Sequence, residues 1–116
     1  MAVTIAKTGT VKLVTWTWTS DASGDASEAT AVAVDGDVIG LVTVPSSGSA
    51  PTDDYDIVIN DANSVDVLAG AGANRDTANT EYVQGTSLGW VANSLLTLVV
   101  SNAGNTKAGT VYLYIR

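Results

Sequence analysis

Apolar and polar positions alternate along this chain with a period of two and nowhere recur at helical spacing. From Val11 to Trp18, the residues Val11, Leu13, Thr15 and Thr17 oppose Lys12, Val14, Trp16 and Trp18. β-Branched and aromatic residues dominate this stretch, as a pleated, half-buried surface favours, and it predicts one long strand. Shorter runs of the same kind span Ala29 to Val34, Val38 to Val44, Tyr55 to Asn60, Leu95 to Val100 and Thr110 to Arg116, with a weaker one at Val3 to Lys7. Turn chemistry closes them: Asp21 to Asp25 with Gly24, Asp35-Gly36, the Ser/Gly segment from Pro45 to Pro51, Asp61 to Ser64, and Asn102 to Gly109 with Gly104. About seven strands at this spacing predict a single all-β domain over residues 1–116, either an antiparallel β-sandwich or a small β-barrel. The expected core is Val32, Val34, Val38, Val42, Ile57, Ile59, Leu96, Leu98, Val100, Val111, Leu113 and Ile115.

With no Phe and a single Met, that core is aliphatic, and Trp16, Trp18 and Trp90 stand out against it. Two readings are open. The tryptophans cap the ends of the core, or at least one lies in an interface with another subunit, where Trp is enriched. Trp16 and Trp18 share a strand face that is hard to leave in water if it points outward.

Leu68 to Glu81 is the one long segment without strand alternation. Gly70 and Gly72 look superficially like a phosphate cradle. No third fingerprint glycine and no Lys-Ser/Thr pair follows them, so no nucleotide cofactor is expected. A loop of this length in a small domain is usually functional or ordered by a partner, and Arg75 beside Asp76 is its lone cation. The expectation is that the loop is held by a neighbouring subunit or by another assembly partner, with Arg75 in a desolvated ion pair.

Asp53, Asp54, Asp56, Asp61, Asn63 and Asp66 offer hard oxygen ligands, yet the glycine and terminal Glu of a calcium loop are missing. They read as solvated turn carboxylates, and no metal site is expected.

Charge changes the picture more than composition does. The net charge is −7, and between Lys12 and Arg75 there are ten acidic residues and no Lys or Arg. The flanks through Ser20 and from Tyr82 onward carry Lys7, Lys12, Lys107 and Arg116 and no acid. Such a split suits docking, including a head-to-tail ring of copies, and a homotrimer is expected. It argues against nucleic acid, which requires clustered cations. The absence of Cys excludes disulfides and thiolate sites, and the absence of His removes the commonest general base, so no catalytic residues are expected. No apolar run approaches the ~18 residues of a membrane span, and no secretory signal opens the chain, so cytoplasmic synthesis and no membrane partner are expected.

Three stretches carry a resemblance. They are Gly40-Leu-Val-Thr-Val-Pro45, Ala50-Pro-Thr-Asp-Asp-Tyr-Asp-Ile-Val-Ile-Asn-Asp61, and Val65-Asp-Val-Leu-Ala-Gly-Ala-Gly-Ala-Asn-Arg-Asp-Thr-Ala-Asn-Thr-Glu81. Together they resemble small structural proteins of tailed bacteriophages over roughly a third of the chain. The resemblance implies a virion component, a capsid decoration (cement) protein on the capsid exterior, with the major capsid protein as partner and the capsid as the other candidate to hold the loop around Arg75. It brings no catalytic residues. Alternatives are a tail or head-tail connector component, or a carbohydrate-binding adhesion module using Trp16, Trp18 or Trp90.

Overall fold

The computed structural model describes residues 1–116. Nine strands form: β1 (Ala2–Thr8), β2 (Val11–Thr19), β3 (Ala26–Ala29), β4 (Val34–Pro45), β5 (Asp56–Asn60), β6 (Glu81–Gln84), β7 (Val91–Ser94), β8 (Thr97–Ser101) and β9 (Ala108–Ile115). A single 3-10 turn at Gly85–Ser87 follows β6. The larger sheet has the order β1-β2-β9-β4-β6, with β7 added to the first part of β4, and the smaller has the order β3-β8-β5. Every pairing is antiparallel. The chain is therefore an all-β domain, as the alternation predicts, with β9, the last strand, in the middle of the larger sheet.

The core lies between the two sheets. Val14, Trp16 and Trp18 of β2, Val111, Leu113 and Ile115 of β9, and Leu41 of β4 face Ile57 and Ile59 of β5 and Leu98 and Val100 of β8, all at most 1% exposed. Each aliphatic side chain of this set contributes roughly 1.5–3 kcal/mol by leaving water. The long alternating strand thus turns its tryptophans inward and Thr15 and Thr17 outward. Trp16 Nε1 donates to the Glu28 carbonyl at 3.0 Å, whereas buried Trp18 Nε1 has no partner. Trp18 packs at 5.7 Å from Tyr55 and lies over Gly109, its cross-strand neighbour, where a Cβ would sit 2.7 Å from the indole.

Three expectations change. Asp35-Gly36 is not a turn: β4 runs through it, because β7 pairs with Val34–Asp37 and holds that stretch extended. The predicted strand from Ala29 to Val34 is instead two pieces, β3 ending at Ala29 and β4 beginning at Val34. Between them Val32 is 58% exposed, outside the core assigned to it. Val42 is half-buried while its neighbours Leu41 and Thr43 are buried. The cause is a bulge in the β4–β9 register between Val38 and Gly40, where one extra residue transfers every later side chain to the opposite face.

The loops explain why the middle of the chain is acidic. Asp21 Oδ1 accepts the N–H groups of Ser23 and Asp25 at 2.8 and 3.0 Å, and Gly24, at φ 84°, returns its N–H to the Asp21 carbonyl. Asp61 repeats the arrangement with Asn63, Val65 and Ser64, the last at φ 61°. Asp66 repeats it again with Leu68, Gly70 and Ala69, and also accepts from Ile59 N–H. Short carboxylates are used here as acceptors for turn N–H groups that would otherwise go unpaired.

Candidate docking face

β-Sheet register places three rows of side chains on the outer face of the larger sheet, the face turned away from the core. One row crosses Ala2, Thr17, Thr110 and Val44. The next crosses Thr4, Thr15, Tyr112, Val42 and Tyr82, and the third Ala6, Leu13, Tyr114, Gly40 and Gln84. No position in these rows is charged, on a chain whose net charge is −7. Three of the four tyrosines stand there, and Tyr82 is 76% exposed. Depletion of charge together with tyrosine enrichment is the composition of an interface centre. With strands ~4.8 Å apart and a rise of ~3.3 Å per residue, five strands over the roughly five residues that three rows span give ~400 Å². That is less than the ~600 Å² that one partner contributes at the low end of a standard protein interface.

The face is not flat. Between β4 and β6 a groove of about 410 Å³ opens over Gly40, bordered by Val42, Tyr82, Gln84 and Tyr114. Around the edge of β6 lies a second, more polar cleft of about 470 Å³, reached by Arg75, Glu81 and Tyr82. Its charged groups are matched to each other: Arg75 Nη1 lies 3.6 Å from Glu81 Oε1.

The residues singled out from the sequence are scattered by the fold. Trp16 and Trp18 are wholly buried, so neither is available to an interface or to a sugar; the alternation located their shared face but not its direction. Trp90 is 53% exposed, just before β7, and its carbonyl accepts Val38 N–H. Arg75 and Asp76 lie in the long loop, which its own chain holds. Tyr55 and Arg75 form an isolated bridge, Ile57 N–H donates to the Gly72 carbonyl at 2.9 Å, and Asp56 and Asp53 accept from Asn74 and Thr77 N–H. The Arg75 side chain, 13% exposed, donates Nε and Nη2 to the Ala73 carbonyl. Within the chain Arg75 stands beside Glu81, a residue the sequence did not mark. Glu81 Oε1 also accepts Asp76 N–H at 2.8 Å.

The Asp76 carboxyl is held below its ordinary range by the Ala78 N–H and then by the Asn79 side-chain amide. Burial pushes the Tyr55 phenol up to about 12, a rise that the nearby Thr43 hydroxyl tempers. That hydroxyl is itself buried without a bond of good geometry. Between β2 and β4, Lys12 Nζ donates to the Asp35 carbonyl and lies 3.4 Å from its carboxylate. Part of the sequence-level charge split is therefore matched within one chain.

No helix is long and apolar enough to cross a membrane. The chain matches no protein-family profile, and no curated protein or solved structure matches it.

Proposed function

We propose that this chain is a non-catalytic structural protein of a tailed-phage virion, of the capsid decoration type, and that it attaches to the head exterior through the outer face of its larger sheet. The observation that carries the proposal is that uncharged, tyrosine-bearing face on a strongly acidic domain. A carboxylate-rich remainder keeps copies apart before assembly, while a charge-free face loses little by desolvation when it meets a shell. The resemblance in Gly40–Pro45, Ala50–Asp61 and Val65–Glu81 supports the same reading. Those segments build the second half of β4, the whole of β5 and the loop packed on it.

The major capsid protein is the proposed partner, and a trimer the proposed assembly. With Lys12 and Arg75 matched internally, Lys7, Lys107 and Arg116 remain to orient a head-to-tail ring. The adhesion alternative loses its paired tryptophan platform, because Trp16 and Trp18 are in the core.

The test is co-sedimentation of the purified chain with heads assembled from the major capsid protein of the same genome, followed by cryo-EM of the decorated particles. Ordered density on the outer surface at saturable occupancy is expected. No binding to heads, or density confined to the tail or connector, overturns the assignment. Sedimentation equilibrium of the free chain reports the assembly state, with three copies expected.

A further inference from the structure

A sheet edge presents a row of backbone N–H and C=O groups that will pair with any strand laid beside it, and a folded domain has to cover or blunt each one. This chain does so at most of its edges. The free side of β5 is taken by the long loop: Arg75 N–H donates to the Tyr55 carbonyl, Ile57 N–H to the Gly72 carbonyl and Val67 N–H to the Ile59 carbonyl, at 2.7, 2.9 and 2.8 Å. β3 has four residues, and the Trp16 indole occupies its Glu28 carbonyl. β6 and β7 also have four residues each, and β6 stops at the 3-10 turn. β1 is different. It has seven residues, no proline, an unbroken register with β2 and a single charge, Lys7, near its end. Outside its ladder with β2 it makes no backbone–backbone bond.

The turn fixes which groups of β1 are free. Gly9, at φ 61°, and Thr10 join Thr8 to Val11 in a two-residue hairpin, and the closing pair of such a turn is hydrogen-bonded. Alternation then directs the backbone of Thr8, Ala6, Thr4 and Ala2 toward β2 and that of Lys7, Ile5 and Val3 outward. The far side of β2 agrees. One residue past it, Ser20 N–H donates to the Lys107 carbonyl at 2.7 Å, so the even-numbered positions serve β9 and the odd-numbered ones serve β1. We infer that the free edge pairs antiparallel with β1 of a second copy of the chain, about a two-fold axis through Ile5. Three free positions spaced by two are symmetric about the middle one: Ile5 meets its own copy and Val3 meets Lys7, so all six free backbone groups are used. The two Lys7 side chains stay ~14 Å apart, each with its stem beside a valine. The net charge of −7 does not oppose the approach, because β1 and β2 contain Lys7 and Lys12 and no acid. The axis stands normal to the sheet, so two larger sheets run on as one of ten strands with both uncharged outer faces on the same side. That face grows from ~400 to ~800 Å², from below the range of one partner's share in a standard interface to within it. The contact is separate from the head-to-tail ring and is independent of the decoration reading.

The chain has no cysteine, so single cysteines report the seam. Ile5→Cys, Val3→Cys and Lys7→Cys are each oxidised mildly as the free chain, and Val3→Cys is also oxidised in a mixture with Lys7→Cys. Paired positions lie ~5.5 Å apart between Cα atoms, inside the disulfide range, whereas Val3 and Lys7 each lie ~14 Å from their own copies, outside it. Ile5→Cys alone, and the mixture, are expected to form cross-linked dimers at least about tenfold faster than Val3→Cys or Lys7→Cys alone. Should Val3→Cys melt early, since Val3 is half-buried, the contrast between Ile5→Cys and exposed Lys7→Cys decides. Equal rates at the three positions leave β1 a solvated edge and overturn the inference. Fast cross-linking of Val3→Cys or Lys7→Cys with itself marks a parallel or shifted pairing and overturns the axis through Ile5. A fast Ile5→Cys with a slow mixture marks a contact that is not a strand pair and overturns it as well. Each result is read without heads, so the decoration reading stands or falls on its own test.

Discussion

Replacing Gly72 with alanine tests whether the long loop is part of the folded body or merely rests on it. Gly72 is buried against β5, and a Cβ there would overlap the Ile57 carbonyl oxygen and approach Leu68 Cδ1 to 2.9 Å. The obstacle on one side is strand backbone, so the loop must retreat by more than an ångström to regain van der Waals distance. That retreat breaks the 2.9 Å bond from Ile57 N–H to the Gly72 carbonyl. A buried donor left unpaired costs about 1–3 kcal/mol, and loosening Leu68, now fully buried, adds about 1 kcal/mol. The sum is ~2–4 kcal/mol. For a domain of 116 residues each kcal/mol corresponds to roughly 3–5 °C, so the melting temperature is expected to fall by about 6–20 °C. Thermal unfolding followed by circular dichroism measures it, and faster hydrogen exchange at the Ile57 amide locates it. Gly48→Ala is the matched control, since Gly48 has open space around it and no positive φ. If Gly72→Ala melts within 2 °C of wild type, the loop is not docked on β5 as described and the reasoning is wrong.

Aqueous quencher should reach only Trp90, so Trp90→Phe is expected to leave emission from Trp16 and Trp18 that acrylamide barely affects; strong residual quenching would place an indole outside the core. Asp66→Ala removes the acceptor of three backbone N–H groups and is expected to destabilise by about 2–4 kcal/mol, whereas Asp66→Asn, which keeps Oδ1, loses only the Gly70 bond; denaturant melts showing the two equal would exclude this role. Because the folded-state pKa of Tyr55 is raised from 10.0 to about 12, its contribution is full below pH 10 and is lost as pH rises toward 12; Tyr55→Phe should flatten that alkaline decline in urea midpoints, and an unchanged slope would refute it.

The strands that alternate cleanly were legible because one residue in two must meet the core, and β2, β5, β8 and β9 obey that rule over most of their length. What alternation cannot state is which face turns inward. Trp16 and Trp18 were paired correctly in sequence, but only β3 and Tyr55, packed against them, decide their burial. The parity of β4 is reversed by a single bulge between Val38 and Gly40, and its one mark in the sequence is the glycine inside the strand. β6 and β7 are short and mixed, Glu-Tyr-Val-Gln and Val-Ala-Asn-Ser, and take their extended form from β4 alongside them. Asp35-Gly36 carries turn residues that the pairing with β7 overrides. The uncharged outer face was invisible for a related reason. Thr15 and Thr17, Tyr112 and Tyr114, and Val42 and Val44 are each unremarkable, and become one uncharged surface only when register sets five separate segments side by side.

The position of β9 has a consequence for how the chain reaches its fold. β2 and β4, the two strands that β9 joins, are separated from it by most of the sequence, and neither has its full set of backbone partners until residues 108–115 are in place. The β1–β2 hairpin can close early on local contacts alone. The larger sheet cannot, because its middle is supplied last. Ordering of the sandwich is therefore tied to the arrival of its final strand, with the loop-closure entropy of the whole chain still to be overcome at that step, which favours slow and all-or-none assembly. Until then the inner edges of β2 and β4 stay open to other chains.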